Sequence, residues 1–368
     1  MAQTPAFSSN QIAGARSLIE GAIGAVPGET LAIIAEDPAL GIYDDKVPAC
    51  VAGTANSMGI KSSIITVGNC AGLEQIPPAV TSALIHSDHV LFQSRLGDTL
   101  RFSDIPGGAG KTMSYALDID ILGSASCTVP HRVLERIRSA YEQHADTAES
   151  WRVTCPNGTD ISGTQDIQAV ARGEAEDFTV TRFPVCAPRP ISCSTATGVV
   201  AITHWLMASG NKPYPDDELL LPDLIMAQVE NGRIIDLSGS AKLVDKVRCH
   251  YTRVGKYLNL DPWEVHSWHA GINPGCSYRH RAESNLERWG KVAFANPRYL
   301  HFHTCGSYAP GEIAWSLFDA TVELNGKLFW NKGDFVYLQH AEVQAIVTEE
   351  GLQPLVVSTD IGIPESQS

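Results

Sequence analysis

The stretch Arg298-Tyr-Leu-His-Phe-His-Thr-Cys-Gly-Ser-Tyr-Ala-Pro-Gly-Glu-Ile-Ala-Trp-Ser-Leu-Phe-Asp-Ala-Thr321 decides how the rest of the chain is read. Side chains alternate across a strand, so His301 and His303 fall on one face while Leu300 and Phe302 fall on the other. Gly306, Pro310 and Gly311 then turn the chain, and Trp315 to Val322 predicts a second strand carrying Asp319. Two imidazoles on one strand and a carboxylate on its neighbour form a donor set for a single divalent metal, with coordination positions left open.

Working outward, five of the twelve histidines (His266, His269, His280, His301, His303) lie between positions 266 and 303. The segment from Trp263 to Pro274 ends in a turn, and either His266 or His269 is placed to give the third nitrogen. Glu312, just after Pro310-Gly311, is a candidate ligand or acid/base, and Tyr308 a candidate hydrogen-bond donor to a metal-bound substrate oxygen. Arg182 and Arg298 are candidate anchors for an acidic substrate, since a guanidinium grips a carboxylate through two bonds. Each has a purely structural alternative: Asp319 capping a turn or pairing with an arginine, and the arginines as surface residues. There is no serine or cysteine elbow of the kind that carries a nucleophile.

Composition narrows the class. A chain of 368 residues is long for one core, so two domains are expected. With 44% hydrophobic and 18% charged residues, the chain reads as globular and soluble. A formal charge of -14 and the lack of any Lys/Arg block argue against a nucleic-acid partner, leaving a small molecule as the expected ligand. No apolar run reaches the roughly 20 residues that span a bilayer, and no signal-peptide pattern opens the chain. Nine scattered cysteines, none in a CxxC pair, suit reduced thiols and a cytoplasmic setting. A homodimer is expected only from the general preference for symmetric pairs.

Along the chain, Ser9 to Val26 has helical spacing with Ser9 or Asn10 as cap, and Glu29 to Ala35 is the continuous apolar run of a covered parallel strand. Helices over Asp45–Met58 and Ala79–His86 alternate with strands over Lys61–Val67 and His89–Gln93, and Val129–His144 predicts a long helix. This predicts an α/β domain over residues 1–145 built on an open, mainly parallel sheet. Gly107-Gly-Ala-Gly-Lys-Thr112 imitates a phosphate-cradling loop, but the first glycine of GxxxxGK[ST] is replaced by Ile105. It is read as a glycine-rich turn before a helix. From residue 146 to 368 the pattern predicts an α+β, β-rich domain carrying the metal site. Its short strands include Phe178–Val185, Gly198–Leu206 and Arg233–Leu237. Hairpin turns are signalled at Asn157-Gly158 and Asn231-Gly232, and a helix over Ala241–Leu258.

The order Gly271-Ile-Asn-Pro274, then Leu300-His-Phe-His-Thr, then the Gly306–Gly311 turn, then Leu317-Phe-Asp319 resembles the aminopeptidase T-like superfamily of metalloproteins. Within it the layout is similar to the branch of bacterial 2,5-dihydroxypyridine 5,6-dioxygenases, over most of the chain. That resemblance implies a mononuclear iron(II) held by a histidine shortly before the Gly-x-x-Pro turn and by a His-x-Asp on a later strand. By position Asp319 matches the aspartate, and His266 or His269 the first histidine. Leu317 stands where the second histidine would be, so His301 or His303 is expected to replace it from the adjoining strand. Of the two-metal peptidase set, only Glu312, His303, Tyr308 and Asp319 find arguable matches. The expectation is an iron(II) ring-cleaving dioxygenase, with zinc or manganese as other metals. A hydrolase with Glu312 as base, or a metal-free binding protein, is the alternative.

Overall fold

The computed structural model describes residues 6–69, 76–100, 107–165, 167, 180–209, 214–306 and 311–364. In chain order its strands are β1 (Thr30–Glu36), β2 (Lys61–Val67), β3 (His89–Gln93), β4 (Gly110–Ser114), β5 (Ser150–Thr154), β6 (Asp160–Thr164), β7 (Thr181–Phe183) and β8 (Ile191–Ser192). They continue with β9 (Thr197–Ala208), β10 (Leu219–Glu230), β11 (Arg233–Ser238), β12 (Val265–Ala270), β13 (Tyr299–Thr304), β14 (Ile313–Phe318), β15 (Thr321–Leu324) and β16 (Lys327–Trp330).

A first, wholly parallel sheet has the order β2-β1-β3-β4-β7. The apolar run of β1 follows from its position: Leu31 and Ile33 pack with Val47 and Val51 on one side, and Ala32 and Ile34 with Val80 and Leu84 on the other. Both faces are covered, so no polar alternation survives. The helices over Lys46–Ser57 and Pro78–His86 lie within a residue of expectation. The first helix, Ser9–Arg16, continues as a π-helical turn over Ser17–Ile23. It is capped by Ser8, whose hydroxyl accepts from the Gln11 amide while the Gln11 side chain accepts from that of Ser8.

Two expectations are corrected here. The glycine-rich segment before Thr112 turns into a strand, β4, and not into a helix, because Thr112, Met113 and Ser114 fill a slot beside β3. Among its described residues, the segment read as a strand of the second, β-rich part has Thr181–Phe183 in a strand, and these pair with β4. A cut at residue 145 therefore leaves the fifth strand of the first sheet on its far side.

The second sheet is antiparallel, in the order β16-β15-β5-β6-β9-β14-β13-β12-β8, with β10 pairing β9 and β11 pairing β10. Both hairpin signals hold, with Asn231 and Gly232 at positive φ between β10 and β11 and Gly158 at positive φ between β5 and β6. One face of this sheet presents Trp268, Phe302, Trp315 and Leu317 to the main core, shared with the helices His131–Asp146 and Ala241–Leu258. The latter helix has the expected bounds. Helices over Leu286–Ala293 and Ala341–Glu349 were not anticipated. Among the described residues no helix is long and apolar enough to cross a membrane.

Candidate metal centre

The register of three central strands brings the histidines together. His301 of β13 lies opposite His269 of β12 and opposite Ser316 of β14, while His303 lies opposite Ser267 and Ala314. Residues directly opposite share a face, so His269, His301 and His303 project together, away from the tryptophan core. All three are buried, at 5–7% exposure. Their Nε2 atoms converge: His269 Nε2 is 2.8 Å from that of His301 and 3.3 Å from that of His303. Tyr299, two residues earlier in the same alternation, stacks on the His301 ring at 5.2 Å.

The hydrogen bonds behind the rings decide where the protons sit. His269 Nδ1 donates to the Pro188 carbonyl oxygen at 2.8 Å, and a carbonyl only accepts. A neutral His269 therefore presents an acceptor at Nε2. Ser209 Oγ gives its proton to the Gly311 carbonyl, so at 3.3 Å it accepts from His303 Nδ1, and a neutral His303 presents an acceptor at Nε2 as well. At 3.3 Å these two inward nitrogens are therefore both acceptors. His301 can resolve one contact by donating through Nε2, but its Nδ1 is then a buried acceptor, and that atom has no hydrogen-bond partner among the described residues. Protonation is opposed: burial, then the charges of His269 and Arg182, holds His301 well below the ordinary imidazole range.

A divalent metal fits these residues. Metal–nitrogen bonds of about 2.0–2.1 Å place neighbouring ligand nitrogens about 2.8–3.4 Å apart in octahedral or tetrahedral geometry. The two closest separations, 2.8 and 3.3 Å, lie at that spacing. Among the described residues this is the one trio of His, Cys, Asp or Glu side chains close enough to hold an ion, with ligand atoms all within 4.8 Å of one another. The Pro188 carbonyl and the Ser209 hydroxyl are the outer groups that fix the tautomer of a ligating imidazole. Nothing in the sequence marks them, whereas Tyr299 shares the visible alternation.

The other expected site residues scatter. His266 sits where β12 carries one residue more than β13, in a bulge, and its Nδ1 meets the Ser267 hydroxyl at 2.9 Å, so it stands outside the trio. Asp319 does not join the trio either. Beyond the end of β14 the chain takes φ 54° at this residue, and its carboxylate is forked by Arg298, with Nε at 2.6 Å from Oδ1 and Nη2 at 3.0 Å from Oδ2. Arg298 is thereby corrected too: its remaining bonds go to the carbonyls of Thr359, Ile363 and Pro364, clamping the C-terminal segment. Leu317 lies opposite Leu300 on the core face, so a histidine there would point away from the trio.

Glu312 is buried at the head of β14, where its carbonyl accepts from the Ser209 amide and the Tyr214 hydroxyl. It stands outside the trio. Tyr308 lies outside the described residues. Arg182, on β7 of the first sheet, is bonded through Nη2 to the Ala187 carbonyl at 3.1 Å, and its charge is felt at His301. Residues 184–190 run from β7 across the histidine face, so the centre lies where the two sheets meet. Two clefts of about 420 and 340 Å³, beside β5–β6 and beside the Ala341–Glu349 helix, contain none of the three histidines.

No protein-family model matches this chain, and no curated protein matches its sequence. Solved structures do match. The 2,5-dihydroxypyridine dioxygenase of Pseudomonas putida KT2440 superposes with a TM-score of 0.57 at 14% identity, over 91% of this chain and 99% of that one. Wild-type AmpT from Thermus thermophilus superposes with a TM-score of 0.51 at 12% identity, over 90% and 100%. At these identities the likeness is one of fold, and the fold is the one whose layout the sequence resembles.

Proposed function

We propose that this chain is a mononuclear metal-dependent enzyme that opens the ring of a small, hydroxylated, anionic (hetero)aromatic compound with dioxygen. The observation that carries it is the convergence of three buried imidazoles, two of them, His269 and His303, held with Nε2 inward by the Pro188 carbonyl and the Ser209 hydroxyl. The fold likeness to a ring-cleaving dioxygenase supports the choice of reaction. When bound, iron(II) supplies Lewis acidity and redox chemistry with dioxygen at positions the protein does not fill.

The chain's own residues do the rest. Pro188 and Ser209 hold His269 and His303 with Nε2 facing inward. Burial keeps His301 neutral and excludes bulk water. Arg182 offers a positive charge to a substrate carboxylate or phenolate, and Glu312 is the candidate base for a ring hydroxyl proton. The absence of a carboxylate from the trio leaves the loaded centre with its full double positive charge, which favours an anionic substrate.

The same feature favours a second reading: three imidazoles with an open position are the donor set of a hydrolytic zinc site, where water is activated against an amide or cyclic imide. Protein purified anaerobically, without a histidine tag, separates the two through metal content and oxygen uptake with dihydroxylated rings. About one iron per chain and substrate-dependent oxygen consumption sustain the oxygenase. Retained zinc with turnover in nitrogen-purged buffer moves the assignment to the hydrolase. Protein that binds no metal at all would defeat both and leave a binding protein on this fold.

A further inference from the structure

The first sheet contains a second place where buried polar atoms lack partners. Numbered by order in the chain, its strands run 2-1-3-4-5, so the order reverses between β1 and β3. In open parallel sheets ligands bind beyond the carboxyl ends of the strands at that reversal. Here β1 ends on Glu36 and β3 runs into Ser94. Since Ala35 is paired with Gln93, Glu36 and Ser94 follow side by side. Tyr43 packs in one buried cluster with Met113 of β4, Tyr115 just after it and Leu286 of the Leu286–Ala293 helix, and burial, then the charges of Asp98, Tyr115 and Glu36, pushes its phenol well above the ordinary range. Glu36 Oε1, Ser94 Oγ and Tyr43 Oη are all buried, in residues 1–3% exposed, and none has a hydrogen-bond partner among the described residues.

The surrounding charges are already assigned. Glu36 Oε2 accepts from the Arg95 amide and Nε, at 3.1 and 2.9 Å. Asp98 takes the Tyr115 hydroxyl at 3.0 Å and the Lys291 ammonium at 2.5 Å. Lys291 belongs to the Leu286–Ala293 helix, which closes the crevice from the second half of the chain and also sends Glu287 to Arg95. What is left over is a free carboxylate oxygen and two hydroxyl oxygens in a negative field. Such oxygens suit a hard cation, and the nearness of Arg95 and Lys291 opposes a double charge.

We propose that this crevice binds a monovalent alkali cation through Glu36 Oε1, Ser94 Oγ and Tyr43 Oη, at a site separate from the histidine centre. The ion docks the Leu286–Ala293 helix onto the first sheet by completing its polar seam. The test is thermal unfolding of the full chain, stripped of divalent metal with a chelator, in potassium, sodium or choline chloride at equal ionic strength. Potassium or sodium should raise the melting temperature saturably by about 2–5 °C over choline. Ser94→Ala and, separately, Tyr43→Phe should remove that increment while leaving melting in choline nearly unchanged. Crystals grown with rubidium should show anomalous density among the three oxygens. Equal melting in all three salts, an increment that survives both variants, or ordinary water alone at this position would overturn the proposal.

Discussion

Asp319→Asn separates the two roles that an aspartate at this position can have. The asparagine keeps the shape and tolerates the left-handed backbone at φ 54° as aspartate does, so the change isolates the charge. Asp319 and Arg298 are 6% and 5% exposed and share two short hydrogen bonds. Removing one partner of such a buried pair costs about 3–5 kcal/mol, because the other charge is left in a poor dielectric. The amide also turns a donor toward the guanidinium. Three carbonyls of the C-terminal segment still accept from Arg298, which places the expected loss near the lower end, about 3 kcal/mol. The assay is urea unfolding of the metal-free protein, paired with metal content per chain at saturating metal. A large drop in midpoint with unchanged metal content is expected. Loss of the metal with little loss of stability would show that Asp319 is a ligand and that the trio has been misread.

Replacing His269, His301 or His303 singly by Ala should weaken metal binding at least about 100-fold, and Ser209→Ala by about 10–100-fold, read by competition with a chromogenic chelator. Wild-type affinity in all four variants would contradict the centre. Arg182→Met should weaken binding of an anionic substrate or inhibitor by about 10–150-fold, the worth of a hydrogen bond to a charged group, while metal content stays the same. Acid should destabilise the fold through His250, whose value is pushed down to about 4 by burial and then by Arg253. Above the ordinary imidazole value both folded and unfolded chains carry it neutral. Between about pH 6.5 and 4 only the unfolded chain takes the proton, so stability falls by up to about 3 kcal/mol as pH drops through that window. His250→Phe should flatten the slope in stability-versus-pH curves; an unchanged slope would place the proton elsewhere.

Local periodicity carried the sequence far. The Ala241–Leu258 helix, the two Asn-Gly hairpins and the shared face of His301 and His303 are all short-range patterns, and each was legible for that reason. Pairing is not short-range. Nothing near Thr181 says that three residues will return to the first sheet, and nothing near Gly110 says that a slot beside β3 is waiting. The choice between His266 and His269 turned on one extra residue in β12, a bulge that displaces His266 from the alternation of the face. Asp319 reads as a ligand because the pattern puts it on a strand next to the one with the two histidines, but one left-handed residue beyond β14 sends its carboxylate to Arg298. The resemblance in layout identified the fold and left the donor set to be found in the register.

The bond from His269 to the Pro188 carbonyl joins a strand of the second sheet to a segment that leaves the first. The affinity of the centre for its metal therefore contains the free energy of docking one sheet on the other. Chelation should loosen the seam between the sheets as well as empty the centre, and the second sheet expressed without β7 and its following segment should hold metal poorly even with all three histidines present. Metal occupancy in this molecule is a measure of assembly as much as of ligand supply.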